Sequence, residues 1–393
     1  MYIVYTKPEC PFCTEAVDVL KKHGVRYSVV ECDTKEDAWR GAAAHGISLA
    51  DTTTFPMVVD LESAKPVGGF EHLRDVLEEP LLQKGVERLT LLPIRYPSIY
   101  KYYRQHLASF WTTDEVSLLE DKNDWEKLSA DERHFISRVL AFFAGSDGII
   151  QENLARNFLD EIGVAECRAF FSIQLAMEQI HNEQYSILIE SLIKDETEKN
   201  RLLRAIETIP SVGQKAAFGL KYMTRRERFC TRLAAFACVE GILFSASFCA
   251  IYYLKKRGVM PGLTLSNVFI ARDESLHAEF GAHLYKTFIV HKLPESVVHE
   301  MVRECVDVER AFVRDSLPVA LIGMSSAEMI KYVEFIADTI LLKLGYAKLF
   351  KTPNPFDWMQ SLGLENKSNF FERFPSEYQK ASAIGDFALD DVF

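Results

Sequence analysis

Two segments of this chain repeat the same short spacing of an acid and a histidine. Glu178 and His181 form one Glu-x-x-His unit, and Glu274 and His277 form a second. Residues three apart lie on the same face of a helix, so each unit can direct a carboxylate and an imidazole at one ion. A single unit is weak evidence, because a solvated helix face can carry the same pair. The repetition favours a shared metal site.

A further acid precedes each unit by one helix and its return. Asp147 lies in AFFAGSDGII before the first unit, and Glu240 lies in AAFACVEGILF before the second. An acid followed by Glu-x-x-His, occurring twice, is the ligand pattern of ferritin-like dinuclear carboxylate bundles. Four buried carboxylates would repel one another, and two divalent ions relieve that repulsion. The predicted metal ligands are Asp147, Glu178, His181, Glu240, Glu274 and His277, a donor set that suits Fe or Mn.

One of these acids lies in a segment that imitates a membrane span. Leu233–Leu254 is long and apolar enough to cross a bilayer, and Glu240 is its only formal charge. A carboxylate at the middle of a span is costly in lipid, whereas a metal-binding bundle requires it. We therefore interpret the segment as a buried bundle helix.

Composition and the first residues restrict where the protein acts. The formal net charge of −11 argues against a general binder of nucleic acids or anionic membranes. The start, MYIVYTKPEC, does not have the basic segment followed by a long apolar run that is typical of a secretory signal. The eight cysteines are mostly scattered in apolar surroundings, which is typical of a reducing compartment. We expect a cytoplasmic protein.

The pattern of the chain changes after the first 80 residues. Residues 1–80 alternate short β-like runs with amphipathic stretches, which predicts a small α/β domain. Prolines mark residues 81–100 as a connector. Residues 101–375 have long helix-period segments and predict an all-α bundle. The acidic residues 376–393 are expected to form a flexible tail that becomes ordered on binding.

The small domain carries a Cys-x-x-Cys motif, Cys10 to Cys13, between a predicted strand and a predicted helix. A helix N-terminus stabilises a thiolate, so Cys10 is expected to have a lowered pKa and to act as the nucleophile. Cys13 can then resolve a mixed disulfide. Lys7 adds a positive charge nearby. The alternative, half of a zinc site, would need a second pair of ligands at suitable spacing.

The segment TKPECPFC, the run Thr54-Phe55-Pro56 and the pair Gly68-Gly69 together resemble the glutaredoxin family. The resemblance covers nearly all of residues 1–80 and implies a thioredoxin-like fold that uses glutathione. It also implies a cis proline before the third strand. The glutathione contacts implied are Lys7, Phe12, Phe55, Pro56, Gly68 and Gly69. Phe70-Glu71 follows the glycines where the family usually has a hydroxyl or an acid.

Tyr185 lies one helical turn after His181, on the same face. Phe244, Phe248 and Ile270 lie at helical spacing from the predicted ligands of their own segments. Together these apolar side chains can form a dry pocket around the phenol, which is the isolation that a tyrosyl radical requires. A core tyrosine without a redox role would have the same spacing, so the spacing leaves both interpretations open.

Four segments closely resemble the small subunit of ribonucleotide reductase, particularly its eukaryotic-like form: ERHFISRVLAFFAGSDGI, AMEQIHNEQYS, VEGILFSASF and MPGLTLSNVFIARDESLH. The likeness extends from about Pro93 to the C-terminus. It implies the six metal ligands named above and a radical on Tyr185.

The same resemblance implies a route for radical transfer. His181 would donate its free N–H to Asp273, and Asp273 would contact Trp111. Tyr378 in the tail would relay the radical to the large subunit, into which residues 386–393 would dock. Without the resemblance, Trp111 is a packing residue and Tyr378 an unremarkable tail residue.

The two resemblances together imply the small subunit of a ribonucleotide reductase, expected to form a homodimer, that serves a separate large catalytic subunit. Its fused glutaredoxin domain would use glutathione to re-reduce the disulfide that each turnover leaves in the large subunit. The alternatives are a ferritin-like oxidase or hydroxylase acting on a small molecule, and an iron storage or sensing protein. The ligands do not distinguish Fe/Fe, Mn/Mn and mixed pairs. They also do not decide whether the radical resides on Tyr185 or on the metals.

Overall fold

The computed structural model describes residues 1–85, 89–317 and 324–356, without the side chains of residues 147 and 149. Its N-terminal part is a four-stranded sheet with helices on both faces. The elements are β1 (Tyr2–Thr6), α1 (Pro11–Lys22), β2 (Tyr27–Glu31), α2 (Lys35–Ala43), β3 (Met57–Asp60), β4 (Lys65–Gly68) and α3 (Phe70–Glu78). The strand order is β2-β1-β3-β4; β1 runs parallel to β2 and antiparallel to β3.

Apolar side chains of β1 point alternately to the two faces of the sheet, which explains why helices cover both faces. Ile3 and Tyr5 face one side of the sheet and pack in the cluster that contains Ala38 of α2. Val4 points to the other side and packs with Leu20 of α1, because successive side chains of a strand point to opposite faces. The predicted α/β fold of the small domain is confirmed.

The rest of the described chain is a helical bundle. Its helices are α4 (Pro97–Ala108), α5 (Leu119–Lys127), α6 (Ala130–Asn153), α7 (Leu159–Glu161), α8 (Ala165–Leu192), α9 (Glu196–Leu203), α10 (Ala205–Thr208), α11 (Pro210–Tyr222), α12 (Phe229–Cys238), α13 (Ser245–Arg257), α14 (Pro261–Phe288), α15 (Glu295–Ser316) and α16 (Ser326–Leu344). The predicted all-α bundle is confirmed. The exact limits of the two domains stay predictions.

The apolar segment that resembled a membrane span is the core of this bundle. Phe229–Arg257 is long and apolar enough to cross a membrane, but 94% of its most apolar window is buried inside the protein. A π-helical turn, Val239–Leu243, joins α12 to α13. Such turns occur mostly as single interruptions of α-helices and are frequent at functional sites. This one contains Glu240, one of the predicted ligands.

The start of α14 is fixed by a buried acid. The Asp121 carboxylate accepts hydrogen bonds from the backbone N–H groups of Gly262 (2.8 Å) and Leu263 (2.7 Å), two donors that the first turn of the helix leaves unpaired. A Cβ atom at Gly262 would lie 2.3 Å from the Ser117 carbonyl oxygen, so only glycine allows this approach. The cap positions the helix that carries Glu274.

The small domain is bonded to the bundle at several places, among them α3 and the residue that follows it. Arg228 donates two hydrogen bonds to Asp75, at 2.9 and 2.7 Å. The Glu79 carboxylate accepts from the backbone N–H groups of Val290 and His291, both at 2.8 Å. Asp75 and Glu79 are both buried. Dissolved salt therefore weakens their interactions less than it weakens those of surface ion pairs.

A buried ion pair holds the end of the π-helical turn. Lys215 of α11 lies 2.6 Å from Glu309 of α15 and donates a 2.7 Å hydrogen bond to the Leu243 carbonyl. Its ammonium also lies 3.6 Å from the ring centroids of Phe142 and Phe312. Burial opposes ionisation of both partners: it lowers the pKa of Lys215 to about 8 and raises that of Glu309 to about 7. The pair therefore depends on each partner stabilising the charge of the other.

Removing one partner is expected to be strongly destabilising. Lys215→Met should lower the free energy of unfolding by about 3–5 kcal/mol, because it leaves an uncompensated buried carboxylate. The matched control is Lys221→Met, which removes the exposed Lys221–Glu304 pair between the same two helices. That change should cost less than about 1 kcal/mol. Urea unfolding followed by circular dichroism measures both, and equal losses would contradict the interpretation.

Candidate metal centre

Helices α8 and α14 bring the two Glu-x-x-His units together. His181 Nδ1 lies 3.0 Å from Glu274 Oε1, and His277 Nδ1 lies 3.1 Å from Glu178 Oε1. His277 Nδ1 is also 3.0 Å from Glu274 Oε2, one turn away on its own helix. Each imidazole thus faces a carboxylate of the opposite helix, and all four side chains are buried.

Glu240 enters the same cluster from the π-helical turn. Gln174 connects it to the first unit by donating to Glu240 Oε1 at 3.0 Å and to Glu178 Oε1 at 3.2 Å. Ligand atoms of Glu178, Glu240, Glu274 and His277 all lie within 4.8 Å of one another. Five of the six predicted ligands, these four and His181, therefore converge. The sixth, Asp147, belongs to α6, but its side chain lies outside the described part, so its role stays a prediction.

The donor set fits a pair of divalent cations. Three carboxylates and two imidazoles are buried around one point, and Glu178, Glu240, Glu274 and His277 are each at most 2% exposed. Carboxylates concentrated in a site without water repel one another unless positive charge lies between them. Hard oxygen donors combined with imidazoles match the preferences of Fe and Mn.

A hydrogen-bonded chain leads away from His181. Its Nε2 lies 3.2 Å from Asp273 Oδ2, the same oxygen that accepts a 2.9 Å hydrogen bond from the Trp111 indole N–H. Arg272 donates to the other Asp273 oxygen at 3.0 Å. Although burial opposes ionisation of Asp273, Arg272 and His181 hold its pKa well below the usual range. The contacts implied by the resemblance are present, while the transfer of a radical through them stays a proposal.

Two residues that contact the ligands were not predicted from the sequence. His106 of α4 lies with its Nε2 2.8 Å from His277 Nε2 and is fully buried. Burial and the neighbouring His277 lower the pKa of His106 to about 3. Gln174 could have been found, because it lies one turn before Glu178 on the same face. His106 carried no comparable signal, since it is a single histidine on a separate helix.

Tyr185 lies in an aromatic pocket beside the centre. It is 1% exposed, and its ring stacks on Phe143 with 4.4 Å between centroids and 5° between planes. Phe248 and Phe244 contact the same Phe143 ring, at 5.0 and 5.7 Å. Ile270 is also buried. The expected apolar surroundings are present, but the ring in direct contact, Phe143, was missed, although it lies one helical turn before Asp147 on α6, at the spacing that Ile270 has before Glu274.

The cysteine motif lies where a reactive thiol is expected. Cys10 is the N-cap of α1, its sulfur accepts a 3.3 Å hydrogen bond from the Cys13 backbone N–H, and the two sulfurs form a disulfide. Cys13 is buried, whereas Lys7 and Phe12 are exposed, Phe12 to 56%. The donor at the helix start can stabilise a thiolate at Cys10 after reduction.

The other residues implied by the glutaredoxin resemblance lie just before β3 and at the end of β4. The Phe55-Pro56 bond is cis. Gly68 has a φ of +114°, a conformation that favours glycine, and a Cβ atom there would lie 3.0 Å from the His72 ring and crowd it. A Cβ atom at Gly69 would lie 3.8 Å from the Pro56 carbonyl oxygen. Glutathione contacts at these positions stay predictions.

Comparison with known proteins places the bundle in a family. Residues 88–355 match the model of the ribonucleotide reductase small chain. This chain belongs to that family. Residues 3–60 match the glutaredoxin model, so the small-chain domain follows an N-terminal glutaredoxin domain.

Its relatives among small chains are similar over most of their length. The ribonucleoside-diphosphate reductase small chain of Nicotiana tabacum is 53% identical over 325 residues, covering 80% of this chain and 98% of that protein. Subunit M2 of Mesocricetus auratus is 49% identical over 332 residues, covering 84% and 86%. The solved Rnr4 homodimer of Saccharomyces cerevisiae is 30% identical with a TM-score of 0.67, covering 75% of this chain and 95% of that one. The dimanganese(II)-NrdF structure of Streptococcus sanguinis, 19% identical with a TM-score of 0.58, shares the fold.

Two expectations of this small chain fall outside the described residues. Tyr378 and the docking segment 386–393 both follow residue 356. Their roles stay predictions.

Without metal, the imidazoles of the small chain carry the compensating charge. Burial alone would lower the pKa of His277, but the Glu274 and Glu178 carboxylates raise it to about 9. Burial alone would also lower the pKa of His181. Hydrogen bonds to Asp273, Glu178 and Glu274 outweigh this effect and raise the pKa well above the usual value. A histidine pKa raised in the folded state stabilises the fold below the unfolded value of 6.5, and this contribution is lost as pH rises through about 9.

Metal loading is therefore expected to release protons. Between pH 6.5 and 9 a metal ion must displace the proton on His277, so affinity should rise by up to about tenfold per pH unit per displaced proton and level off above that range. Calorimetric titration of the metal-free protein with Mn²⁺ in buffers of different ionisation enthalpy measures the release. Equal affinities at pH 6.5 and 8.5 with no proton release would contradict the assignment.

Proposed function

We propose that this chain is the radical-generating subunit of a ribonucleotide reductase, joined to the glutaredoxin domain that regenerates its partner. The observation that carries the proposal is the buried convergence of Glu178, His181, Glu240, Glu274 and His277 beside Tyr185. Burial closes this site to bulk water. Electrons and protons can reach it through the side chains that are hydrogen-bonded to His181.

The five converging side chains, with Asp147 as the sixth, would hold two Fe or Mn ions. When bound, and once oxidised by dioxygen or by a reduced species of it, these ions would supply the one-electron oxidising power that the protein's own side chains lack. The carboxylates provide anionic oxygen donors, and Gln174 orients two of them by its hydrogen bonds to Glu178 and Glu240. The apolar core around them excludes water and external reductants.

Tyr185 is the proposed holder of the radical. Oxidation of its phenol removes one electron and one proton, and a phenoxyl radical persists only where reductants cannot reach it. Near-complete burial and the stacked Phe143 ring support this role. The alternative location of the oxidising equivalent is the metal pair itself.

The radical equivalent would leave the site through His181, Asp273 and Trp111. Their continuous hydrogen bonds, of 3.2 and 2.9 Å, support coupled movement of an electron and a proton along this chain. Tyr378 and residues 386–393 would continue the route to a separate large subunit, where a thiol reduces ribonucleotides to deoxyribonucleotides. A homodimer in the cytoplasm is the proposed form of the small subunit.

The glutaredoxin domain would act on the disulfide that each turnover leaves in the large subunit. The Cys10 thiolate attacks that disulfide, and Cys13 then resolves the mixed disulfide, which transfers two electrons to the large subunit. Two glutathione molecules restore the Cys10/Cys13 dithiol and leave as glutathione disulfide. Attachment of the domain to the bundle would keep its dithiol at a high effective concentration near a target on the bound large subunit.

The radical assignment is tested by Tyr185→Phe. This variant should load metal as the unchanged protein does, but it should lose the tyrosyl signal in electron paramagnetic resonance, and turnover with the large subunit should fall to background. Tyr253→Phe, at another buried tyrosine of the bundle, is the matched control and should retain both. A tyrosyl signal that survives in Tyr185→Phe would refute the assignment.

The glutaredoxin role is tested by Cys10→Ser in the full chain. Turnover supported by glutathione should be lost, because serine is a poor nucleophile towards a disulfide. Turnover supported by dithiothreitol, which reduces the large subunit directly, should be unchanged and serves as the control. Equal glutathione-supported rates in the variant and the unchanged protein would exclude the role.

A further inference from the structure

We propose that His106 is a positioning residue for His277, and that it fixes which nitrogen of His277 is free to bind metal. The inference rests on the proposed metal-binding function and deepens it. It concerns the second Glu-x-x-His unit only.

The two nitrogens of His277 face different surroundings. Nδ1 lies 3.1 Å from Glu178 Oε1 and 3.0 Å from Glu274 Oε2, at the centre of the carboxylate cluster. Nε2 points away from the cluster and lies 2.8 Å from His106 Nε2. Metal ligation therefore uses Nδ1, and the proton of the neutral ring must be on Nε2.

This tautomer determines the direction of the hydrogen bond between the two rings. His277 Nε2–H is the donor, so His106 must present an unprotonated Nε2 as the acceptor, with its own proton on Nδ1. The reversed arrangement would put the proton of His277 on Nδ1, where it would occupy the metal position. An acceptor at His106 is thus a requirement for ligation.

Packing holds His106 in place for this role. Its ring is fully buried and lies 5.3 Å from the Phe170 ring, which in turn stacks on Phe280 with 3.7 Å between centroids. The rings of His106 and His277 lie 4.8 Å apart and are tilted by 52°, so the contact is edge to edge through the nitrogens and not a stack.

The two ligand imidazoles consequently have acceptors of different charge. His181 donates towards the Asp273 carboxylate, whereas His277 donates towards a neutral imidazole. An anionic acceptor makes an imidazole a stronger metal ligand, and loss of an acceptor typically weakens metal binding by about 10- to 100-fold. The metal position served by His277 is therefore expected to be the weaker of the two, and to depend on His106.

The test compares two substitutions in the full chain. In His106→Gln the amide oxygen can still accept the hydrogen bond, whereas in His106→Leu no acceptor remains. Metal-free proteins are titrated anaerobically with Co²⁺, and binding at each position is followed by visible absorption. The unchanged protein should bind two ions in two steps. His106→Leu should weaken the second step by about 10- to 100-fold and leave the first unchanged, while His106→Gln should restore the second step to within about threefold.

The outcomes separate the inference from the function on which it rests. If the unchanged protein binds no Co²⁺ ion, the proposed metal function fails. If it binds two ions and His106→Leu binds both with unchanged affinity, only the role of His106 is overturned. Equal weakening in the Leu and Gln variants would also overturn it, because a purely structural role is not rescued by an acceptor. Thermal unfolding of the metal-free variants checks the fold, and His106→Ala replaces the Leu variant if the latter does not fold.

Discussion

Several acids cannot be buried together in a protein core unless positive charge is buried with them, and the architecture of this bundle follows from that requirement. Carboxylates from three helical segments meet two imidazoles where water is excluded. Without metal, protons on His181 and His277 provide the positive charge. Two residues outside the cluster position the elements that carry its ligands: Asp121 fixes the start of α14, and Lys215 holds the end of the π-helical turn.

One short segment contacts both ligand imidazoles from the outside. His106 at the end of α4 reaches His277, and Trp111, a few residues later, reaches His181 through Asp273. Arg272 ties this segment to α14 by donating to the Ser109 carbonyl as well as to Asp273. A displacement of the segment would therefore change the orientation of both imidazoles together.

The sequence predicted the parts of the site that follow from local periodicity. Glu178 with His181 and Glu274 with His277 could be found because residues three apart share a helix face regardless of what packs around them. His106 could not, since the rotation of α4 about its axis is set only by tertiary packing, whereas Phe143 lies one turn before Asp147 and its spacing could have been used. The π-helical turn at Glu240 was equally invisible, because the helix before it is apolar and buried on every side and so has no hydrophobic periodicity that an extra residue could shift.

The attachment of the glutaredoxin domain bears on which disulfide it can reach. The anchoring acids, Asp75 and Glu79, lie at the C-terminal end of α3 and beyond it, where they bind Arg228 and the backbone after α14. Cys10 lies on another element, at the start of α1, and its neighbour Phe12 remains exposed. An exposed aromatic ring beside a nucleophilic thiol can contact an approaching protein. The bundle also contacts the domain at Asp51, Lys65 and His72, yet Phe12 beside Cys10 stays exposed, so a disulfide on another chain could approach the proposed nucleophile there.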